Sequence, residues 1–418
     1  MNKTCLEKKR FCVIADDFTG AYDIGAQMKR QGITTRVYKK SVEVSRRNSI
    51  ILDTETRALE SKKAYDIVCD CIKKIHNLNY DIYFKKIDSF FRGNIVEELE
   101  AIIEELHFDK VIIAPSYPKM GRTVENGTFY LNKIDIRQTD LFLDPSNKNL
   151  VNNIETILKA KMKDSYIHLK QNEIMCCTKN YKVESYDAVT DKDLDKIVDK
   201  YWKTSKSVLW VGSIGLMNAI LRKFECKLPI LCVVGSVSSI SMTQVEQAKL
   251  CGKKVISIDL NRIIEGKSCN KCILEAINYL KKGTDIILHT IFDSALFADF
   301  INIATESEVE NRLMQYNLLI GQITYQILSR VEVAGILLTG GDTARSVLDN
   351  IGEGEAEILG ELFPSTPIIR QSIVNNGKTN IVLKSGRVGN SMNLLECIDA
   401  VKEFYMYAKG ENRYESNS

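Results

Sequence analysis

Short runs of apolar residues, each ending in Gly, Asp or Ser and each followed by a segment with helical spacing, recur from one end of the chain to the other. This alternation is the pattern of βα units and a parallel sheet. In the first half the runs predict strands at 11–15, 35–38, 49–53, 81–86 and 110–114. Helices are expected at about 21–31, 61–78 and 94–106, the last from the spacing of Ile95, Leu99, Ile102, Ile103 and Leu106. Residues 135–182 are irregular and read as loop, helix and short strand packed on the first domain, before a strand at 207–211 and a helix at 215–224.

The pattern restarts at Lys227–Leu228–Pro229 with a strand at 230–235, which marks a domain boundary. Beyond it come a helix near 244–249, strands at 255–258 and 286–290, a long helix near 308–330 and a strand at 335–339. A helix follows Asp342, and Asn375–Asn376–Gly377 reads as a hairpin turn into a strand at 381–384. A chain of 418 residues is too long for one ordinary core at about 150 residues per domain. The expected architecture is α/β with two domains, 1–226 and 227–409, each a mostly parallel sheet flanked by helices. An active site is expected in the cleft between them, and a disordered polar tail over 410–418.

Composition narrows the picture. Hydrophobic residues make up 44% and charged residues 27%, the profile of a globular chain with a sizeable core. The formal charge of +3 comes from 57 basic and 54 acidic residues without a long single-sign block, so neither nucleic acid nor a membrane surface is the expected partner. No stretch approaches the roughly 18 apolar residues of a membrane span, and the polar start offers no signal-peptide core. Twelve scattered cysteines suit a reducing cytoplasm. Cys269 and Cys272 form a C-x-x-C pair without companions, which reads as ordinary thiols at a helix start, and no metal site is expected. The four histidines look isolated.

In parallel sheets ligands gather at the carboxyl ends of strands, so the residues just after each apolar run carry the most information. Those positions hold Asp16–Asp17–Phe18–Thr19–Gly20, then Asp53–Thr54–Glu55–Thr56–Arg57, then Lys86–Ile87–Asp88–Ser89 with Arg92–Gly93–Asn94, then Pro115–Ser116–Tyr117–Pro118 with Gly121–Arg122–Thr123. Arg57 with Lys86 or Arg92 can hold a carboxylate, Arg in bidentate fashion. Asp16, Asp17 and Asp88 can accept hydroxyl hydrogen bonds, and one of them can deprotonate an attacking hydroxyl. The bland alternatives are a helix N-cap for each Asp and a surface ion pair for each Arg. In the second half Gly235–Ser236–Val237–Ser238, Gly340–Gly341–Asp342–Thr343 and Lys384–Ser385–Gly386–Arg387–Val388–Gly389 each follow a strand, where backbone amides can approach phosphate oxygens. Gly377–Lys378–Thr379 is no P-loop, because Ser372 stands where its first glycine belongs, and Gly212–Ser213–Ile214–Gly215 does not complete G-x-G-x-x-G.

Taken in order, IADDFTGA, TETRA, KKIDSFFRGN, APSYPKMGRTVENG, VGSIGL, VVGSVS, LLTGGDTA and KSGRVG resemble the four-carbon acid sugar kinases over nearly the whole chain. The resemblance implies an N-terminal sugar-binding domain, a C-terminal nucleotide-binding domain, and transfer of the ATP γ-phosphate, with Mg²⁺, to the terminal hydroxyl of threonate, erythronate or 3-oxo-tetronate. It implies acid contacts at Asp17, Arg57 and Lys86, Ile87, Asp88 and Ser89, with Asp16 beside them. ATP contacts are implied at Ser236, at Gly340, Gly341, Asp342 and Thr343, and near Gly386 and Gly389. Asp17 or Asp88 is the expected base, and a homodimer is compatible with the chain. Phe90 and Phe91 replace the family's small and hydroxyl residues, Arg387 and Val388 replace glycine and phenylalanine, and Ser365 replaces a glycine. A nicotinamide-dependent oxidoreductase and a non-catalytic metabolite sensor are the competing readings.

Overall fold

The structure, a computed structural model, describes residues 9–39, 48–143, 151–175, 181–204, 206–224, 228–236, 238–259, 265, 267–291 and 305–415. The chain divides into two compact units, Met1–Glu225 and Cys226–Ser418. Lys227, at the restart of the sequence pattern, lies outside the described residues.

The first unit contains strands β1 (Phe11–Ala15), β2 (Thr35–Lys39), β3 (Ser49–Asp53), β4 (Ile82–Lys86), β5 (Lys110–Ala114), β6 (Arg122–Glu125), β7 (Thr128–Leu131), β8 (Ile134–Asp135), β9 (Tyr166–Leu169), β10 (Val183–Tyr186) and β11 (Val208–Gly212). Its helices are α1 (Phe18–Arg30), α2 (Ser61–Lys73), α3 (Ile95–Glu105), α4 (Asp140–Leu143), α5 (Ile154–Met162), α6 (Asp191–Trp202) and α7 (Ile214–Leu221). Eight strands form one parallel sheet in the order β2-β3-β1-β4-β11-β5-β10-β9. Such a sheet must be covered on both faces, which is why β1, β3 and β5 are buried along their whole length and mostly apolar rather than alternating. Cys12 and Ile14 enter the core on one face, and Phe11, Val13 and Ala15 the core on the other. β6, β7 and β8 form a small antiparallel sheet.

The second unit contains β12 (Ile230–Val234), β13 (Lys254–Asp259), β14 (Ile286–Ile291), β15 (Gly335–Thr339), β16 (Gly352–Phe363), β17 (Thr366–Ile373) and β18 (Gly377–Lys384). Its helices are α8 (Ser239–Leu250), α9 (Asn270–Lys281), α10 (Glu306–Leu328), α11 (Gly341–Ile351) and α12 (Asn393–Glu415). The sheet order is β13-β14-β12-β15-β18-β17-β16, parallel except for β17 and β16. The expected turn at Asn375–Gly377 joins β17 to β18, with Asn375 and Gly377 both at positive φ. The sequence reading contained no strand at β16, a glutamate-rich and mostly exposed edge whose polarity blunts pairing with other chains. It also began α8 late: the helix starts at Ser239, where the Ser238 side chain accepts the Ser241 amide. α12 continues past Gly410, the expected start of a disordered tail, to Glu415. No helix among the described residues is long and apolar enough to cross a membrane.

Each sheet reverses its direction of growth beside its first strand. From β1 the chain builds β2 and β3 on one side and then crosses to β4 on the other. From β12 it builds β13 and β14 on one side and then crosses to β15. Each reversal opens a crevice at the carboxyl ends of the flanking strands.

One buried contact supports the first crevice from below. Lys85 of β4 and Glu98 of α3 are both fully buried, with Nζ and Oε2 2.5 Å apart. The ammonium approaches off the hydrogen-bond direction, so the contact is an ion pair only. Removing one partner strands a charge, so Lys85→Met should lower the unfolding free energy by about 3–5 kcal/mol in urea titrations. Replacing both groups, Lys85→Met with Glu98→Leu, should recover most of that loss.

Candidate active site

Strand register fixes the floor of the first crevice. Ala15 pairs with Asp53 on one side and Lys86 on the other, Lys86 pairs with Gly212, and Gly212 with Ala114. The residues following these positions therefore emerge side by side. They line a cavity of about 470 Å³ that includes Asp17, Arg57, Lys86, Asp88, Ser89 and Arg92.

Arg57 is the centre of the arrangement. Its Nε donates to Asp16 Oδ2 at 2.7 Å, and its NH2 donates to Asp16 Oδ1 at 3.0 Å and Asp17 Oδ1 at 2.6 Å. The loop carrying it is fastened by the Thr56 and Arg57 amides, which donate to the Asp16 carbonyl, and by Asn94 Nδ2, which donates to the Thr56 and Leu59 carbonyls. Gly93, at φ +100°, lets the Arg57 stem pass, since a Cβ there would lie 2.9 Å from Arg57 Cγ. Asp17 occupies the N-cap position of α1 but makes no capping hydrogen bond, so its carboxylate is free to face Arg57 and the cavity. A Cβ on Gly20 would lie 2.4 Å from Asp17 Oδ1 and 2.9 Å from Lys86 Nζ, so this glycine is what allows the two side chains to crowd together.

Asp88 stands in a different environment. It accepts the Phe90 amide at 3.0 Å and Arg92 through Nε at 3.0 Å and NH2 at 2.8 Å. Burial pushes this carboxyl up, but the Arg92 hydrogen bonds and charge, Arg57 and the Phe90 amide outweigh it and leave Asp88 below the usual carboxylate range. Lys86 is held down by burial, against the pull of Asp16 and Asp17, and its Nζ donates to the Ile87 carbonyl at 3.0 Å. Phe91 adopts φ +62°, a left-handed conformation that costs a bulky residue about 1–2 kcal/mol. Its ring stacks on Phe129.

Two expected residues stay out of the cavity. Asp16 sits behind Arg57, and the Ile87 side chain is in the core. Asp53, at the end of β3, is almost fully buried, and burial, with the nearby Glu55 charge, pushes its carboxyl up. Arg122, named among the strand-end residues but given no role, and Ser213, not among them, both line the cavity. Ser213 directly follows β11, so the strand-end rule already pointed to it. His168, read as isolated, contacts Ser185 and Asp187 at 2.8 and 3.0 Å. That set resembles a hydrolase triad, yet the serine is fully buried and Asp187 is occupied by the Asn126 and Gly127 amides, so it clamps a turn.

The second crevice is built from glycine loops and one helix face. Val234 pairs with Thr339 and Thr339 with Lys384, which aligns the three glycine loops. A cavity of about 320 Å³ is lined by Ser236, Gly340, Gly341, Asp342, Thr343 and Gly386 together with α10 residues. The wall residues Leu313, Tyr316, Asn317 and Ile320 share one face of α10; their helical spacing was visible in the sequence, but nothing there said what the face lines. The carbonyls of the last loop are turned away and occupied. Lys384 Nζ donates to those of Ser385 and Val388, Ser241 Oγ to that of Gly386, and Gln244 Nε2 to those of Val388 and Asn390. α11 begins without a side-chain cap after Gly340 at φ +103°, so its first amides remain available to an anion. Gly386 has a packing reason as well, since a Cβ would strike Ser236 Oγ at 2.0 Å. Gly389 shapes the loop against Asn393 and does not line the cavity.

Comparison with known proteins matches the two units separately. Residues 11–220 match the family described as sugar-binding N-terminal domain, and residues 231–394 the family described as nucleotide-binding C-terminal domain. The chain is 27% identical to the D-threonate kinase of Salmonella typhimurium, covering 95% of this chain and 99% of that one. It is 25% identical to the D-erythronate kinase of Heliobacterium modesticaldum, covering 93% and 96%. A crystal structure of a domain of unknown function from Bordetella bronchiseptica, a domain-swapped dimer with bound citrate, superposes with a TM-score of 0.65 at 20% identity, covering 94% of this chain and 98% of that chain.

The Asp88 environment predicts a pH signature. A carboxyl held below its ordinary value of 3.8 adds stability that is complete above that value and is lost as pH falls toward the folded-state value. In urea unfolding from pH 7 to 3, wild type should therefore be more stable than Asp88→Asn at neutral pH, and the gap should begin to narrow only below about pH 4.

Proposed function

The chain belongs to the four-carbon acid sugar kinase family, and from that membership we propose that this sugar-acid kinase transfers the γ-phosphate of ATP to the terminal hydroxyl of a tetronate. The observation that carries the reading is the cavity of the sugar-binding unit, where Asp17 and Asp88 face Arg57, Lys86 and Arg92. Such a mixture suits a small polyhydroxy anion: cations balance the carboxylate, and acids accept the hydroxyl protons. The relatives' substrates, threonate and erythronate, are anions of this kind.

Asp17 is the better base. Asp88 has its oxygens committed to Arg92 and the Phe90 amide, and its lowered pKa makes it a weak proton acceptor, suited to orienting a hydroxyl. Asp17 accepts one hydrogen bond, from Arg57, and its side chain is 27% exposed toward solvent. Lys86 stands beside it with a charge that can meet the transferring phosphoryl group. Arg57 pairs with both Asp16 and Asp17 and so balances the charge at this end of the pocket.

In the nucleotide-binding unit, Ser236, Gly340, Gly341, Thr343 and Gly386 hold the ATP phosphates through backbone amides and hydroxyls, with Gly389 shaping the loop. Asp342 is exposed in the first turn of α11, with no side-chain hydrogen bond among the described residues. One free carboxylate beside a phosphate site fits Mg²⁺, which takes one or two protein carboxylates and completes its shell with phosphate oxygens and water. Bound with ATP, the ion supplies charge neutralisation on the phosphates. The protein's own part is positioning, which accounts for most of the rate in phosphoryl transfer. A homodimer agrees with the assembly described for the Bordetella protein.

ADP release from MgATP, followed with D- and L-threonate, D- and L-erythronate and the 3-oxo acids, tests the reading directly. Turnover with one acid, and a product heavier by one phosphoryl group, is the expected result; no turnover and no ATP binding would sink it. With the preferred acid, Asp17→Asn should lower kcat by about 10²–10⁴-fold, and a larger loss in Asp88→Asn would exchange the two roles.

A further inference from the structure

The cations of the sugar-binding cavity are not equivalent. Arg57 is engaged by Asp16 and Asp17, and Arg92 by Asp88. Lys86 lies among Asp16, Asp17 and Asp88, whose charges act on its ammonium, and its Nζ donates to the Ile87 carbonyl. Arg122 differs from all three. It lines the same cavity and has no ion pair with a carboxylate among the described residues. Its NH1 donates to Ser89 Oγ at 3.0 Å, and its guanidinium lies 5.3 Å over the Phe90 ring. Ser89 and Phe90 are both buried and uncharged.

The backbone under Arg122 is equally fixed. The Tyr117 amide donates to the Arg122 carbonyl at 2.7 Å, and the Arg122 amide returns the bond at 3.2 Å, closing the turn through Gly121 at φ +66°. A guanidinium held rigidly by neutral partners, at the wall of a cavity whose other arginines are neutralised, is a preorganised receptor for one anionic group.

We propose that Arg122 binds the carboxylate of the acid substrate, and that Arg57 and Arg92 serve to hold the acidic side chains of the pocket. This rests on the sugar-acid kinase reading. The carboxylate then anchors one end of the substrate beside Ser89 and Phe90, and the hydroxyl to be phosphorylated is at the other end of the four-carbon chain, toward Asp17. Phe90 becomes a specificity element, because its ring sets the plane in which the guanidinium presents its paired N–H donors.

The test uses the full-length enzyme and the tetronate it turns over best. Initial rates and calorimetric titration of that acid are compared in wild type, Arg122→Gln, Arg122→Lys and Arg57→Gln, with the tetritol that lacks the carboxylate as competitive inhibitor. Arg122→Gln should raise KM and Kd for the acid by about 30–100-fold, leaving the KM for ATP and the tetritol inhibition constant within about threefold. Arg122→Lys should recover part of the loss, since it keeps the charge without the paired donors, and it carries the test if the glutamine variant does not fold. An acid KM unchanged in Arg122→Gln, equal weakening of acid and tetritol, or an acid-specific loss confined to Arg57→Gln overturns the assignment. A wild-type enzyme that neither binds nor turns over any tetronate removes the kinase reading and this assignment with it, an outcome visible before any variant is made.

Discussion

Everything at the first crevice depends on the parallel register of one sheet. Because β1, β3, β4, β5 and β11 all run the same way, their carboxyl ends fall in one row, from Asp53 through Ala15, Lys86 and Gly212 to Ala114. Loops far apart in sequence therefore meet at one edge without any long-range design of their own. The cost is burial of the sheet on both faces, met here by two hydrophobic layers and, beneath the site, by the Lys85–Glu98 pair.

On that edge the controlling factor is charge balance. Arg57 ties Asp17 to Asp16 behind it, and Arg92 pairs with Asp88, so Asp17 and Asp88, which would repel one another, share a single cavity. The two acids end with different characters although they share a pocket. Among the described residues Asp88 accepts from Arg92 through both oxygens and from the Phe90 amide, whereas Asp17 accepts from Arg57 alone. Local backbone conformation supports this division: Gly20 and Gly93 clear space for side chains, and Phe91 tolerates a left-handed conformation beneath the site.

The nucleotide-binding unit reaches its site by a different physical route. There Lys384, Ser241 and Gln244 occupy carbonyls of the last loop, beside a helix start that has no side-chain cap. The cavity of the first unit is lined mainly by charged side chains, that of the second by glycine loops and one face of α10. That difference explains why sequence motifs in the second unit are rich in glycine and poor in charge.

The sequence by itself determined the βα alternation, most strand positions and the list of strand-end residues, because apolar runs and the residues after them are local signals. It also carried the family resemblance, whose motifs fall on those same positions. It did not reveal β16, whose glutamate-rich exposed strand has no apolar pattern to read, nor the α10 wall of the second cavity. Only the tertiary structure decided which candidates share a cavity, that Asp16 and Ile87 stand outside it, and that Arg122 stands within it without a carboxylate partner among the described residues. Pairing of charges is a property of distance in three dimensions. A strand-end arginine reads the same in sequence whether an aspartate has claimed it or not.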